Sequence, residues 1–374
     1  MAASSARAAA RRRLLSIGAK LLILGLTLAA LYETVLAAPA VGAAWRALVR
    51  HTLADGPARW LLLSAAALMP VNQMLEARKW QVLARRVEPL RFGAALRAVV
   101  LGLTLGFSTP NRVGDYAARV LLLRSRRRLD AVGAVFLGRF AQLLVTVGAG
   151  AVGAGYFLCR FPLAGYPLVQ AGVVAGLVVV CAALLAVWFW GGGVAAAVAA
   201  VPAARRWAPL RRWLRAARIL GAYPPRELAV VLGWSGGRYA VFAAQFGLLL
   251  AAFGVEVGVA HGALAVAGTF LLKSLVPSLS ALTDIGAREL SAVYFFGLLG
   301  QAGLPVLSAS LSLWLLNIAV PSAVGLLLVP RLRLSQGRAW RRRLRQAPGA
   351  RAGNGAGAPA IGYRDEAKPR AGGR

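Results

Sequence analysis

The sequence predicts an all-α integral membrane protein with about six full transmembrane helices and two re-entrant broken-helix hairpins in an inverted repeat. Hydrophobic residues make up 59% of the 374 residues and charged residues only 15%, against about 25% in a typical soluble domain. Several runs are apolar on all sides for about 20 residues, the length that spans a bilayer core. The clearest runs are Leu21–Ala38, Ala131–Leu158, Pro167–Trp190, Tyr239–Val255 and Leu304–Val329.

Basic residues predict both the orientation and the partners of the chain. The formal net charge is +32, and the Lys and Arg residues cluster at the ends of apolar runs and in the C-terminal tail. Clusters of this kind beside spans set membrane orientation and contact anionic headgroups. They form no basic stripe interleaved with aromatic residues, which is the pattern of a nucleic-acid interface. We therefore expect membrane lipids as partners and no nucleic acid.

The N-terminal part predicts a basic arm followed by two spans. Residues 1–13 end in Arg11–Arg13 and are expected to lie inside. The following apolar stretch, Leu14–Leu36, is longer than the h-region of a signal peptide, so we expect an uncleaved first span. A second span over about 59–75 leads to a basic segment that starts at Arg78, which is also expected inside.

The first broken unit begins with a run that is too short to cross the membrane. Ala94–Ser108 is apolar, and Pro110 and Gly114 interrupt the helical pattern after it. A second short helix, Tyr116–Leu123, ends at a run of arginines. Because basic residues flank the unit on both sides, we expect it to enter the membrane and return to the inside.

The central part predicts three spans and an interfacial helix. The runs at about 131–158, 167–190 and 228–255 are expected to cross outward, back and outward again. Between the last two, residues 205–226 carry seven arginines and two tryptophans. This composition is typical of an amphipathic helix at the cytoplasmic interface.

A second broken unit and a last span complete the predicted membrane domain. Gly262–Val276 is short and apolar, a Pro/Ser/Thr linker follows it, and a second short helix ends near Gly300. The loops on both sides lack Lys and Arg, so this unit is expected to open from the outside. The span over 304–329 then returns inside, and the composition of the basic tail, 331–374, predicts disorder.

The two broken units predict an inverted repeat within a transmembrane domain over 14–330. When Gly114 is aligned with Gly286, each unit shows a short apolar helix, a linker, a glycine flanked by charge and a second short helix. One unit opens from the inside and the other from the outside, and the repeat halves cover about 59–158 and 227–330. Broken helices in such repeats meet near the midplane and form the substrate site.

Charged residues in and beside the broken units define the predicted site. A charged side chain at bilayer depth is costly, so it is usually paired or faces a cavity. Arginine forks and helix N-termini both favour phosphate. Alternatively, individual charges form internal salt bridges that hold a bent backbone, and Glu76 and Lys273 either face the cavity or extend to an interface. The predicted substrate-binding residues are Arg112, Gly114, Asp115, Arg119, Arg139, Asp284, Gly286, Arg288 and Glu289.

The histidines and cysteines predict no metal or redox chemistry. The two histidines form no HExxH-like pattern, and the two cysteines, Cys159 and Cys181, form no CxxC pair. We expect no cofactor and no bound metal ion.

The segments around both aligned glycines resemble a known family. Asn111–Leu122 is similar to the Arg-x-Gly-Glu segment, with its following Arg and Leu-Leu, of the lysylphosphatidylglycerol synthase transmembrane region family, the flippase-like domain. Gly138-Arg139-Phe140 resembles the Glu-Arg pair of that family, and Ile285–Glu289 resembles its second Gly-x-Arg-Glu motif. Three positions depart from the family pattern. Asp115 stands for the usual Glu, Gly138 for the usual acid, and Thr283-Asp284 for a Gly-Gly pair.

The resemblance implies the translocating half of the family without its soluble aminoacyl-transferase domain. It also implies a bacterial inner-membrane protein, and the charge pattern predicts that both termini are cytoplasmic. The leading hypothesis is a lipid or glycolipid translocase, not an enzyme, that moves an anionic lipid with a phosphate headgroup. Two alternatives stay open. One is a membrane transferase that acts on a lipid-linked phosphate through Asp115, Asp284 or Glu289, and the other is a non-transporting membrane scaffold.

Overall fold

The computed structural model describes residues 41–107, 109, 112–125, 127–162, 165–200, 221–275 and 286–327. Within these ranges the chain forms eleven α-helices and one π-helical turn, with no strand. This confirms the predicted all-helical class. The predicted first span, the predicted interfacial helix up to residue 220 and the basic tail lie outside the described residues. The described helices belong to one compact unit.

The helices are numbered here in chain order. They are α1 (Val41–Ala54), α2 (Gly56–Ala84), α3 (Phe92–Phe107), α4 (Val113–Leu121), α5 (Arg128–Arg160), α6 (Pro167–Ala200), α7 (Pro225–Ala252), α8 (Val259–Leu275), α9 (Ala287–Leu298), α10 (Gly303–Trp314), the π-helical turn Leu315–Ala319, and α11 (Val320–Leu326).

Three helical segments are long and apolar enough to cross a membrane. They are Asp130–Arg160 of α5, Pro167–Gly193 of α6, and Gly303–Leu326, which runs from α10 through the π-helical turn to α11. They confirm three of the predicted spans. Helices α2 and α7 have 29 and 28 residues, about 40 Å each at a rise of 1.5 Å per residue. They coincide with two further predicted spans, but α2 buries Glu76 and Lys79, and α7 carries the half-buried Arg238.

Helix α2 extends nine residues beyond the predicted end of the second span. The first part of the basic segment that starts at Arg78 is therefore helical, up to Ala84. Glu76 and Lys79 lie one turn apart on the same helix face, with 2.7 Å between carboxylate and ammonium. This ion pair compensates the charge that Lys79 brings into the helix.

Each predicted broken unit is a pair of short helices. Helix α3 has 16 residues and packs against α4, which has nine, and α8 has 17 residues and packs against α9, which has 12. At about 1.5 Å per residue, neither α4 nor α9 reaches across a bilayer core. The opposite orientation of the two pairs stays a prediction.

Helices α2 and α7 run antiparallel and form the centre of the described fold. Near one end, the side-chain amide of Gln245 donates to the backbone oxygen of Ala65 at 2.9 Å. Near the other end, the phenol of Tyr223 donates to the backbone oxygen of Leu83 at 2.8 Å. Burial raises the pKa of Tyr223 to about 12, so the phenol remains a donor throughout the physiological range.

Two apolar cores lie at different levels along these helices. One contains Trp80, Leu137 and Trp188, and the other contains Phe246 and Phe296. Glu76 of α2 and Arg238 of α7 lie between these two levels along their helices. The apolar cores therefore hold the helix bundle together and leave a charged layer in its middle.

Glycines allow α5 and the first helix of the second broken unit, α8, to pack closely together. A Cβ atom at Gly150 of α5 would lie 2.4 Å from the Cβ of Leu271, and one at Gly153 would lie 2.6 Å from the backbone oxygen of Leu264 on α8. Residues larger than glycine do not fit at such distances. Close approach at small residues is the usual packing mode of membrane helices.

Candidate functional site

A cavity of about 350 Å³ lies in the charged layer. Residues from α2, α3, α4, α5, α7 and α8 line it, together with Arg112 before α4 and Ile318 in the π-helical turn. Six of its charged lining residues are cationic and two are acidic. The charged lining residues are Glu76, Lys79, Arg112, Asp115, Arg119, Arg139, Arg238 and Lys273.

Glu76 of α2 is one acidic centre of the cavity. Its carboxylate lies 2.7 Å from the Lys79 ammonium and 2.9 Å from Nη2 of Arg119. Nε of Arg238 lies 3.5 Å from the same carboxylate. One acid therefore holds three cations, which come from three different helices.

Asp115 of α4 is the second acidic centre. Its Oδ1 accepts from Nε of Arg119 at 2.8 Å, and its Oδ2 accepts from Nη2 of Arg139. Gly102 of α3 makes room for this carboxylate, since a Cβ there would lie 2.0 Å from Oδ1. Asp115 thus orients two arginines, and Arg119 links the two acidic centres. We call Glu76, Lys79, Asp115, Arg119, Arg139 and Arg238 the ion-pair cluster.

Arg238 lies at the middle of α7, with 13 residues before it and 14 after it in that helix. At about 1.5 Å per residue, this places it roughly 20 Å from either end. Its Nη1 donates to the side-chain oxygen of Gln142 at 3.3 Å, and its guanidinium lies 5.1 Å from the ring centroid of Phe242. An arginine so deep in a long helix is a marker of a functional cavity.

The start of α4 is shaped by backbone contacts. Arg112 adopts the left-handed conformation with φ of 54°, which few residues other than glycine adopt. The Gly114 amide donates to Oγ1 of Thr109 at 2.8 Å. A Cβ at Gly114 would lie 2.1 Å from the backbone oxygen of Leu105. Gly114 is therefore required for the close approach of α4 to α3, which points Asp115 and Arg119 at the cavity.

The second broken unit forms a separate buried centre. Gly286 has φ of 106° and donates its amide to Oε2 of Glu289 at 2.8 Å. Arg288 pairs with Glu289, and its Nε donates to Oγ of Ser310 at 2.9 Å. Oγ of Ser310 in turn lies 3.2 Å from the Glu289 carboxylate. Position 286 requires glycine because its φ is positive, whereas position 114 requires glycine because a larger residue would clash with Leu105.

The predicted site residues therefore fall into two groups. Four of them line the cavity, namely Arg112, Asp115, Arg119 and Arg139. Gly114 does not line the cavity but allows α4 to pack closely against α3. Gly286, Arg288 and Glu289 form the second centre. Asp284 lies outside the described residues. Glu76 and Lys273, for which the sequence left two interpretations, both line the cavity.

Two cavity cations are not among the predicted site residues. Lys79 belongs to the basic segment that is expected inside, yet its side chain is only 2% exposed and lines the cavity. Arg238 is the only Lys or Arg within the predicted span 228–255. The same signal, a single charge within an apolar run, had identified Arg139 and was sufficient to find Arg238.

A chain of buried amides connects three helical segments beside the cavity. Nδ2 of Asn72 donates to Oδ1 of Asn317 at 2.8 Å, and Nδ2 of Asn317 donates to Oε1 of Gln245 at 3.1 Å. Asn317 lies in the π-helical turn, a local irregularity that is frequent at functional sites. These bonds join α2, α7 and the last span at the level next to the ion-pair cluster.

The protein alone does not satisfy all donors of the ion-pair cluster. Nε of Arg139 and Nε of Arg238 are buried and have no hydrogen-bond partner within the described ranges. Buried donors are nearly always satisfied, so each exception calls for an explanation. Among the residues that the structure describes, no group of three or more His, Cys, Asp or Glu side chains could hold a metal ion.

Comparison with known proteins agrees with a membrane domain of this kind. A family model described as the lysylphosphatidylglycerol synthase TM region matches residues 17–325. This range includes both broken units and the whole lining of the cavity. No curated protein and no solved structure matches the chain.

Proposed function

The chain belongs to the lysylphosphatidylglycerol synthase TM region family, and from this membership we propose that it is a translocase for lipids or glycolipids with an anionic phosphate headgroup. The family indicates a multi-pass membrane protein that is related to lipid handling. The step from lipid handling to transbilayer movement, and the bacterial inner membrane as its location, are part of the proposal.

The single observation that supports this proposal best is the positive charge of the buried cavity. The ion-pair cluster contains four cations and two carboxylates. Charges at this depth are costly unless a cavity or partner compensates them. Phosphate matches the fork geometry of arginine, and a lipid phosphate is an anion that reaches a cavity within a membrane. An anionic headgroup is therefore the ligand that this cavity favours.

The two carboxylates have a positioning role in this proposal. Asp115 fixes the orientation of Arg119 and Arg139, and Glu76 fixes Lys79 and Arg238. Preorganised cations bind an anion more tightly than mobile ones, because little side-chain entropy is lost on binding. The headgroup would contact the cations while the acyl or prenyl chains remain in the lipid.

Arg139 is the residue on which the proposal is tested. Its side chain is 36% exposed, and it is the most accessible of the four cations in the ion-pair cluster. The experiment measures headgroup accessibility in proteoliposomes for a panel of anionic phospholipids and lipid-linked phosphates. Arg139→Gln should reduce transbilayer movement at least about tenfold, since a charged hydrogen bond contributes about 1.5–3 kcal/mol.

The matched control is Arg97→Gln, which removes the same charge from an exposed position on α3. Arg97 donates to the backbone oxygen of Gly93 in its own helix and does not line the cavity. Movement of no lipid in the panel, or equal loss in both variants, would refute the proposal. Chemical conversion of the lipid by purified protein would favour a membrane transferase instead.

A further inference from the structure

We propose that the cavity selects headgroups that carry two negative charges, a phosphate monoester or a diphosphate, over phosphodiester headgroups that carry one. This inference rests on the proposed translocase function and specifies the substrate class of the same site. Its basis is the charge balance and the hydrogen-bond balance of the ion-pair cluster.

The ion-pair cluster has a formal excess of two positive charges, and Arg112 and Lys273 add two more cations to the lining of the same cavity. Each carboxylate is already shared, Glu76 by three cations and Asp115 by two. A ligand with two negative charges would match the excess of the cluster, whereas a phosphodiester would leave more of the positive charge of the cavity uncompensated.

Charge compensation is important because Arg139 lies within an apolar span and Arg238 lies at the middle of a long helix. An uncompensated charge in a low-dielectric interior is destabilising by several kcal/mol, whereas a compensated one is tolerated. A loaded site with a smaller net charge also meets a smaller electrostatic barrier when the surrounding helices rearrange. This set of side chains therefore favours the binding and the transport of a dianionic headgroup.

The hydrogen-bond balance favours the same ligand. The buried Nε atoms of Arg139 and Arg238 have no hydrogen-bond partner among the described residues, although one other guanidinium nitrogen of each does. Nε of Arg238 lies 3.5 Å from the Glu76 carboxylate, an ion-pair contact that is not a hydrogen bond. A phosphate monoester presents three terminal oxygens, and a phosphodiester presents two. The additional oxygen gives the headgroup one more acceptor for these two guanidinium groups.

Gly138 of α5 provides a site where this balance can be changed. It precedes Arg139 and lines the cavity beside α2. A Cβ at Gly138 would lie 3.7 Å from Cε of Lys79 and 2.9 Å from the terminal Cδ1 of Leu83, a flexible methyl group. A longer side chain at this position therefore enters the cluster after a small shift of Leu83.

The first experiment compares two lipids with identical acyl chains, phosphatidic acid and phosphatidylglycerol. Binding is measured in zwitterionic nanodiscs, and transbilayer movement is measured in matching proteoliposomes. We expect phosphatidic acid to bind at least about tenfold more tightly, which corresponds to about 1.4 kcal/mol. Equal binding, or preference for phosphatidylglycerol, would overturn the inference while transport of either lipid would still support the translocase. Movement of neither lipid would count against the translocase itself.

The second experiment uses pH. A phosphate monoester gains its second negative charge near pH 6, whereas a phosphodiester keeps one charge throughout. The preference for phosphatidic acid should therefore rise from about pH 5 to about pH 8. Titration of the protein affects both lipids in the same measurement, so an unchanged ratio would contradict the inference. The protein groups that share the cavity or contact the cluster are Glu76, Lys79, Arg112, Asp115, Tyr116, Arg119, Arg139, Arg238 and Lys273.

The third experiment compares Gly138→Glu with Gly138→Gln, which has nearly the same volume without the charge. The added carboxylate reduces the excess of the ion-pair cluster from two positive charges to one, so Gly138→Glu should reduce the lipid preference to threefold or less, an order-of-magnitude expectation of about 0.7 kcal/mol. Gly138→Gln should keep the wild-type preference, whatever its effect on the rate. If both variants change the ratio alike, space and not charge sets the selectivity and the inference is wrong. If the variants do not fold, the wild-type lipid pair and its pH profile still decide.

Discussion

Glu76 joins three cations of the cavity, and its replacement by glutamine tests whether the ion-pair cluster behaves as a unit. Glu76→Gln keeps the size of the side chain and removes the charge that holds Lys79, Arg119 and Arg238. The side chain of Glu76 is 11% exposed, so solvent does not take over its role. Removal of one partner from a buried ion pair costs about 3–5 kcal/mol.

The expected effect on thermal stability follows from this free energy. For a domain of 150–250 residues, 1 kcal/mol shifts the melting temperature by about 2–4 °C. We therefore expect Glu76→Gln to lower the melting temperature by at least about 6 °C in nanodiscs. Lys79→Met alone should cost much less, because Glu76 retains two arginines. In the double variant, Lys79→Met should restore part of the stability, a coupling of about 0.5–3 kcal/mol.

The matched control is Glu227→Gln. Glu227 pairs with Arg86 at 2.8 Å, but both side chains are substantially exposed, and exposed ion pairs contribute little. This variant should melt close to the wild type. A Glu76→Gln protein within about 1 kcal/mol of the wild type, or strict additivity with Lys79→Met, would refute the idea that the cluster is a coupled buried network.

The other predictions concern the helix break and the amide chain. Gly114→Ala should destabilise the protein by about 1–3 kcal/mol and reduce transport, because its Cβ would meet the backbone oxygen of Leu105 at 2.1 Å. Gly155→Ala, where a Cβ has open space, is the control, and equal melting temperatures would contradict the prediction. Asn317→Leu should cost about 1–3 kcal/mol for each buried amide left unsatisfied, that of Asn72 among them. Thermal unfolding measures this loss, and a neutral result would show that the amide chain does not stabilise the fold.

The sequence was sufficient to locate most of the described helices. Runs of apolar residues predicted α5, α6 and the last span, because a membrane requires about 20 consecutive apolar residues. Proline, glycine and short length predicted the two broken units, since these signals are local. The predicted span covers about 59–75, whereas α2 continues to Ala84. The ion pair between Glu76 and Lys79 lies in this continuation, and composition alone does not reveal that contact.

The candidate site was predictable only in part. A charge within an apolar run identifies a residue that needs a partner, as it did for Arg139. It does not identify the partner. Arg288 and Glu289 satisfy each other and Ser310 in a centre of their own, whereas the sequence grouped them with Arg112 and Arg119.

Apolar runs and local signals in the sequence thus predict a helical membrane protein, its short helices and several of the charges that line the cavity. Tertiary contacts set which charges meet and bring Lys79 and Arg238 among them. Glu76 and Arg238 are 162 positions apart in the chain, yet they lie within 3.5 Å of each other. The physical reason is that the rotation and axial level of each helix depend on packing with distant helices. Local pattern fixes the identity of a helix face but not the neighbour that it contacts.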